Sequence, residues 1–356
     1  MRIPLAWLRL LLGAGIGGAG GAIFAVLHLP LPWLIGALVA IAVARLSGLP
    51  AEASRHARNY CFVVVGVALG LYFTPATAAL MLANLPLLVM AAGSTLAVGG
   101  ALAWLLARLG RVDMATAWFA SIPGGAADMA MLAEAYGGHG APVAVAQLLR
   151  VCAVVILMPN IMAVLGMHGE HPAIAMALPF WLPGFLGLYA LGLAGALLLI
   201  RLGLKAGWML GPLAVSAVLT ACGVTLSSVP GWMSAVAQVA LGAQLGAAFD
   251  RGMLARVRRF TPAALLHVAL LMLGCAAVAG GLALVTGRPL GAMLLGTAPG
   301  GVAEMSLTAK TLGLEVALVV TLQVFRIFLV ALLTPPVFRL LHRRGGTPRG
   351  VPAAGE

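Results

Sequence analysis

Charged side chains are scarce in this chain: Asp, Glu, Lys and Arg make up 8% of its 356 residues, and only nine of those are acids. An ordinary soluble domain carries about 25%. So few polar groups could not cover a water-exposed surface, and a soluble fold is excluded. Cysteine is almost as rare. Cys61, Cys152, Cys222 and Cys275 fall singly inside apolar runs, with no CxxC and no paired spacing, which argues against both a disulfide framework and a zinc site. There is no nucleophile elbow, Walker loop, HExxH motif or dense histidine cluster, so neither an enzyme nor a resident cofactor is expected.

What the chain has in quantity is apolar sequence. Hydrophobic residues account for 62% of it and the mean hydropathy is +1.09, values that describe a polypeptide solvated mostly by lipid. Runs bounded by Pro, Gly and charge predict spans at 8–27, 32–46, 59–73, 85–107, 141–165, 180–200, 207–226, 231–249, 262–285 and 315–338. The first of these ends at Pro30, without a small-residue cleavage site, and reads as a membrane helix. Two further segments, 113–137 and 289–313, are each interrupted near the middle by Pro-Gly-Gly. Proline removes a backbone donor and glycine favours non-helical backbone, so each is expected as two half-helices meeting at a bend.

The positive-inside rule chooses between the two ways of threading those segments. If both return to the face they entered, 17 of the 21 Lys and Arg residues fall on the cytoplasmic side and only Arg288 on the other. If both cross, the same loops split 12 to 6. Ten crossings are therefore expected, with both termini cytoplasmic. The formal charge of +12 then reflects topology, not a nucleic-acid partner: Arg256-Val-Arg-Arg259 and His342-Arg-Arg344 read as cytoplasmic determinants lying near anionic lipid. Gly- and Ala-rich stretches such as Gly13–Gly21 and Gly187–Gly195 suggest close helix packing.

A displacement of 176 residues superposes Ser121-Ile-Pro-Gly-Gly-Ala-Ala-Asp-Met129 on Thr297-Ala-Pro-Gly-Gly-Val-Ala-Glu-Met305, and 14 of the 39 positions from 121 to 159 are identical. The duplication covers nearly the whole chain. It divides a single integral membrane domain, 1–356, into repeat 1 at 1–166, repeat 2 at 180–342 and a flexible cytoplasmic tail at 343–356. Each repeat holds five net crossings, an odd number, so the second copy must enter the membrane from the opposite face. The fold class expected is an all-α polytopic membrane protein of two inverted repeats, with about ten transmembrane helices and two broken or re-entrant hairpins. This is the architecture of secondary transporters, in which two near-equivalent halves expose a central site to either face.

The residues expected to form that site are duplicated with it. Pro123, Gly124 and Gly125, and their counterparts Pro299, Gly300 and Gly301, place non-helical backbone at membrane depth, which is tolerated only beside protein or a wet cavity. Half-helices starting after Gly125 or Gly301 would aim a positive dipole end at an anion, and carbonyls at the break could hold a cation. Downstream, Gln147 and Arg150, and Gln323 and Arg326, lie one turn apart on a helix face. A charge at the bilayer centre costs at least about 2.5–3.5 kcal/mol and needs a partner or a function. Arg150 and Arg326 are therefore expected to bind an anionic substrate, with Asp128 or Glu304 carrying a coupling proton or lying near a coupling sodium ion. The alternative is structural: Asp128 pairs with Arg150, and Glu304 with Arg326, fastening each hairpin to the next helix. Gln147 and Gln323 suit hydrogen bonding between helices. His168-Gly-Glu-His171 has a metal-compatible spacing but lies in the linker between repeats and reads as exposed.

The duplicated PGG-x-A-[DE]-M segment, the Q-x-x-R downstream of it and the Pro32-Trp-Leu-Ile-Gly-Ala37 run together resemble the bacterial AbrB family of duplicated membrane proteins over nearly the full chain. Names used in that family suggest a transcriptional regulator or an ammonia monooxygenase. These residues offer neither a soluble DNA-binding module nor a copper-ligand cluster, so direct nucleic-acid binding is not expected. The resemblance implies an inner-membrane transporter of a small solute; a membrane-embedded sensor that affects gene expression indirectly is the alternative. The expected partners are the lipid bilayer and a small molecule, and a homodimer is left open.

Overall fold

The computed structural model describes residues 5–75, 79, 84–169, 179–204, 206–249 and 251–341. Within them the chain is an all-α polytopic membrane protein. In repeat 1 the helices are α1 (Leu5–Val26), α2 (Pro32–Leu46), α3 (Arg55–Gly70), α4 (Leu85–Gly110), α5 (Met114–Ser121), α6 (Ala126–Ala135) and α7 (Gly140–Val164). In repeat 2 they are α8 (Leu182–Arg201), α9 (Gly207–Ala221), α10 (Gly231–Ala247), α11 (Arg251–Arg256), α12 (Thr261–Thr286), α13 (Leu290–Thr297), α14 (Val302–Thr311) and α15 (Val316–Leu341). Every expected span coincides with a helix to within a few residues, and both Pro-Gly-Gly segments are broken. Each break falls between a half-helix of 8 residues and one of 10. The tail from 343 onward, Lys205, and Glu170-His171 of the linker motif lie outside the described residues.

Among the described residues, six helices are long and apolar enough to cross a bilayer unaided: α1, α4, α7, α8, α12 and α15. The other four expected spans, α2, α3, α9 and α10, have only 15, 16, 15 and 17 residues. At 1.5 Å per residue they reach roughly 22–26 Å, short of the ~30 Å hydrocarbon layer. Their shortness is itself duplicated, since α2 and α3 correspond to α9 and α10.

The chain forms two compact units, and each draws on both repeats. The first comprises residues 1–85, 156–251 and 302–321, and the second 86–155, 252–301 and 322–356. In the first unit α2 packs on α10 and α3 on α9, while α1 lies on α2 and α8 on α9. Exchanging the repeats turns each of these pairs into another, the reciprocity that a two-fold axis produces. Glycine makes the close approaches. A Cβ on Gly242 would strike the Leu34 carbonyl, and one on Gly66 would strike the carbonyl of Met209, the repeat counterpart of Leu34. Gly246 meets Leu38 and Ala42, and Gly70 meets their counterparts Leu213 and Ala217. Gly20 and Gly36 touch backbone to backbone, as do Gly195 and Gly211. Lipid offers no hydrophobic force between helices, so small residues that admit close backbone contact hold this unit together.

The core of the second unit gathers Trp118, Phe119 and Ile122 of the first break, Val143 and Ala146 of α7, Ala263 and Ala264 of α12, and Phe338 of α15. Phe119 and Tyr136 stack across the hairpin with centroids 5.5 Å apart, and Phe338 lies 5.4 Å from each.

Candidate functional site

The two ends of the first broken segment are held together. Asp113 caps α5, its carboxylate accepting from the Thr116 backbone N–H at 2.7 Å and from Thr116 Oγ1 at 2.6 Å. Beyond α6, Gly137 takes a left-handed φ of 82° and turns the chain back, so that His139 donates its backbone N–H to Thr116 Oγ1 at 2.7 Å. Its ring also lies against Asp113, with Nδ1 3.0 Å from Oδ2. The start and end of the segment are thus hydrogen-bonded to each other, as a re-entrant hairpin requires and two collinear halves would forbid. Gly313, the counterpart of Gly137, also has a left-handed φ, of 65°.

Breaking a helix leaves carbonyls without intrahelical partners, and in a membrane interior each must be satisfied from elsewhere. Buried Gln and Arg side chains supply the donors. Gln147, with no exposed surface, donates its amide to the carbonyls of Phe119 and Ile122 at 2.8 Å each, while its Oε1 faces the Gly124 N–H at 3.5 Å. Arg150 donates to the Gly124 carbonyl at 3.3 Å. At the second break Gln323 donates to Leu295 O at 2.5 Å and Ala298 O at 3.1 Å, and Arg326 donates to Ala298 O and, at 2.5 Å, to Gly300 O. The correspondence is residue for residue: Phe119, Ile122 and Gly124 displaced by 176 are Leu295, Ala298 and Gly300. The break carbonyls expected to hold a cation are therefore occupied by the amides and guanidiniums.

The acids occupy equivalent places on the second half-helices. Asp128 and Glu304 are each the third helical residue, where a carboxylate complements the dipole. Asp128 curls back so that its Oδ2 would lie 3.0 Å from a Cβ on Gly125. The positive pole of α6, expected to face an anionic solute, thus faces its own acid. Glu304 is 8% exposed and belongs to the first unit, whereas Pro299, Gly300, Gly301, Gln323 and Arg326 belong to the second.

Both breaks lie along the same two long helices. On α4, Gly99 approaches the Ser121 carbonyl, and Thr95 Oγ1 reaches the Thr297 carbonyl at 3.5 Å. These α4 positions are four residues apart, about 6 Å along a helix. On α12, Cys275 O accepts from Thr297 Oγ1 at 3.2 Å. Its thiol is within electrostatic reach of both Arg326 and Arg150. The second unit therefore brings Pro123–Gly125, Pro299–Gly301, Gln147, Gln323, Arg150 and Arg326 into one region, with two cationic side chains only 4% and 3% exposed. The bonds shown for Arg326 go to carbonyls. Such an arrangement can attract a small anion out of water and hold it against fixed donors.

Reading the motifs missed one residue. His267 of α12 is 3% exposed and lies near Arg150 and Ser121, yet it belongs to no motif and its repeat counterpart is Ala91. The one available signal was a histidine inside an otherwise apolar span. Among the described residues no three His, Cys, Asp or Glu side chains come together as a metal cluster would need.

Comparison with known proteins agrees with this geometry in extent. A 322-residue stretch is 28% identical to the "Putative regulator AbrB" of Escherichia coli K12, covering 89% of this chain and 92% of that protein. A stretch of 361 aligned residues is 29% identical to the "Uncharacterized protein YhjN" of Bacillus subtilis 168, covering 93% and 92% of the two chains. The family model described as "Transition state regulatory protein AbrB" matches residues 3–342, both repeats and both breaks included, and the chain belongs to the AbrB family.

Proposed function

We propose that this protein is an inner-membrane secondary transporter of a small anionic solute, with both termini cytoplasmic. The observation that carries the reading is the pair of buried guanidiniums, Arg150 and Arg326, one at each duplicated break within a single compact unit. With a returning first hairpin, and with the short α2 and α3 counted as full crossings beside α1, α4 and α7, repeat 1 has five crossings. Five is an odd number, so repeat 2 enters from the opposite face, and exchange of near-equivalent halves gives alternating access. Asp128 and Glu304 are the groups assigned to a coupling proton or sodium ion. No enzyme chemistry or direct nucleic-acid contact enters this reading.

The test is flux into proteoliposomes under imposed proton, sodium and anion gradients. Arg326→Gln keeps a donor for the break carbonyls while removing the charge, so it should still elute as a folded species and lose flux. Arg326→Lys should retain part of it. A folded Arg326→Gln protein with undiminished anion flux would refute the assignment. A second reading, a membrane-embedded sensor, is favoured by the word "regulator" in the names of the family and of the E. coli relative. Solute binding with no flux under any gradient would select it, and any effect on gene expression would then be indirect.

A further inference from the structure

Repeat symmetry hides a difference between the two breaks. Ser121 and Thr297 are counterparts, each the last residue of the half-helix before its break. Thr297 Oγ1 is consumed locally, donating to Met293 O at 3.0 Å and approaching Cys275 O at 3.2 Å. Ser121 Oγ is equally buried and makes no hydrogen bond. Across from it stands His267, whose Nδ1 and Nε2 are both buried and meet no partner in hydrogen-bonding geometry, with the Ser121 backbone near enough to interact electrostatically. The packing explains the placement: Ala263 and Ala264, one turn before His267, share a core cluster with Ala117, Ala120 and Ile122 of the first break. His267 therefore faces the end of α5 from α12, within electrostatic reach of Arg150. A buried imidazole and a buried hydroxyl left unbonded in a membrane interior are costly unless something polar completes them.

We propose that His267, Ser121 Oγ and the Arg150 guanidinium form a subsite for one oxyanion of the transported solute, a carboxylate or an inorganic oxyanion. The inference rests on the anion reading above and deepens it by making the site unsymmetrical. Imidazole N–H and serine O–H donate to two oxygens, and the guanidinium supplies the opposing charge. At the second break Ala91 stands in place of the imidazole, and the threonine hydroxyl is already used. The charged head of the solute is thus bound on the repeat-1 side of the duplicated site.

Purified protein titrated with acetate, succinate, phosphate and sulfate, against sodium chloride at equal ionic strength, reads the subsite as anion-induced thermal stabilisation. The carboxylate and inorganic arms distinguish the two sources of oxyanion. For a responding probe, His267→Leu should weaken the apparent Kd by about tenfold or more, the scale of a lost hydrogen bond to a charge. His267→Gln, which keeps a donor, should stay within about threefold, and Ser121→Ala should fall between. The ligand-free His267→Leu protein should melt no lower than wild type, because the imidazole it replaces is unpartnered. A probe that binds wild type and His267→Leu equally, or a lowered melting temperature of ligand-free His267→Leu, overturns the subsite while leaving the arginine site standing. Wild type that responds to none of the probes overturns the anion reading and the subsite with it.

Discussion

Replacing each buried glutamine by leucine tests whether these side chains act as substitutes for missing helical donors. Gln147 donates to Phe119 O and Ile122 O, both at 2.8 Å, and its own oxygen faces Gly124 N. Leucine fits the volume but orphans two carbonyls, at about 1–3 kcal/mol each, or roughly 2–6 kcal/mol together. Gln323 looks equivalent and is not. Of its two acceptors, Ala298 O also receives Arg326, so leucine orphans only Leu295 O, costing about 1–3 kcal/mol. The same substitution removes Gln323 Oε1, a buried oxygen with no partner, which returns a similar amount. Gln147→Leu should therefore destabilise by several kcal/mol and Gln323→Leu by roughly 0–2 kcal/mol. At ~2 °C per kcal/mol for a large chain, the melting temperature in detergent should fall by roughly 4–12 °C in the first variant and by no more than about 4 °C in the second. Equal losses, or a larger loss in Gln323→Leu, would refute this accounting of the break carbonyls.

The hairpin mouth and the glycine contacts are open to equally direct tests. Arg111→Cys and His139→Cys, each in a cysteine-free background, should react with an impermeant thiol reagent from the same membrane face; labelling from opposite faces would rule out re-entry. Burial alone would raise the Asp113 carboxyl, but hydrogen bonds from the Thr116 side chain and backbone, and the adjacent His139, outweigh it and hold the group below the usual carboxylate range. A depressed folded-state value means the contribution is present above the unfolded pKa of about 4 and is lost as pH falls through the folded value. Asp113→Ala should thus open the hairpin mouth to hydrogen exchange near neutral pH, at an N-cap cost of about 0.5–2 kcal/mol, and should flatten the acid limb of a stability profile below about pH 4. Gly66→Val and Gly242→Val should destabilise to a similar degree, about 1–3 kcal/mol or more, because each drives a side chain into the equivalent carbonyl of the other repeat. A variant pair differing severalfold in thermal scans would contradict the reciprocal packing.

Local chemistry and duplication were determined by the sequence alone. Apolar run length set the helices, Pro-Gly-Gly forced both breaks, and a constant displacement of 176 residues identified Gln147 with Gln323 and Arg150 with Arg326. It could not say what the glutamines and arginines hold, because their acceptors lie 25 to 28 residues away on another element and are backbone carbonyls, which carry no sequence signal. Nor could it give the partition into two units that each mix both repeats, since that depends on which helix faces bury against each other. His267 stayed invisible for the same reason. A single histidine in an apolar span has no pattern, and only the packing of α12 against the first break leaves its ring beside Ser121 with nothing to bond. Periodicity and composition report how a segment is solvated; which polar atoms remain unsatisfied is decided when distant segments meet.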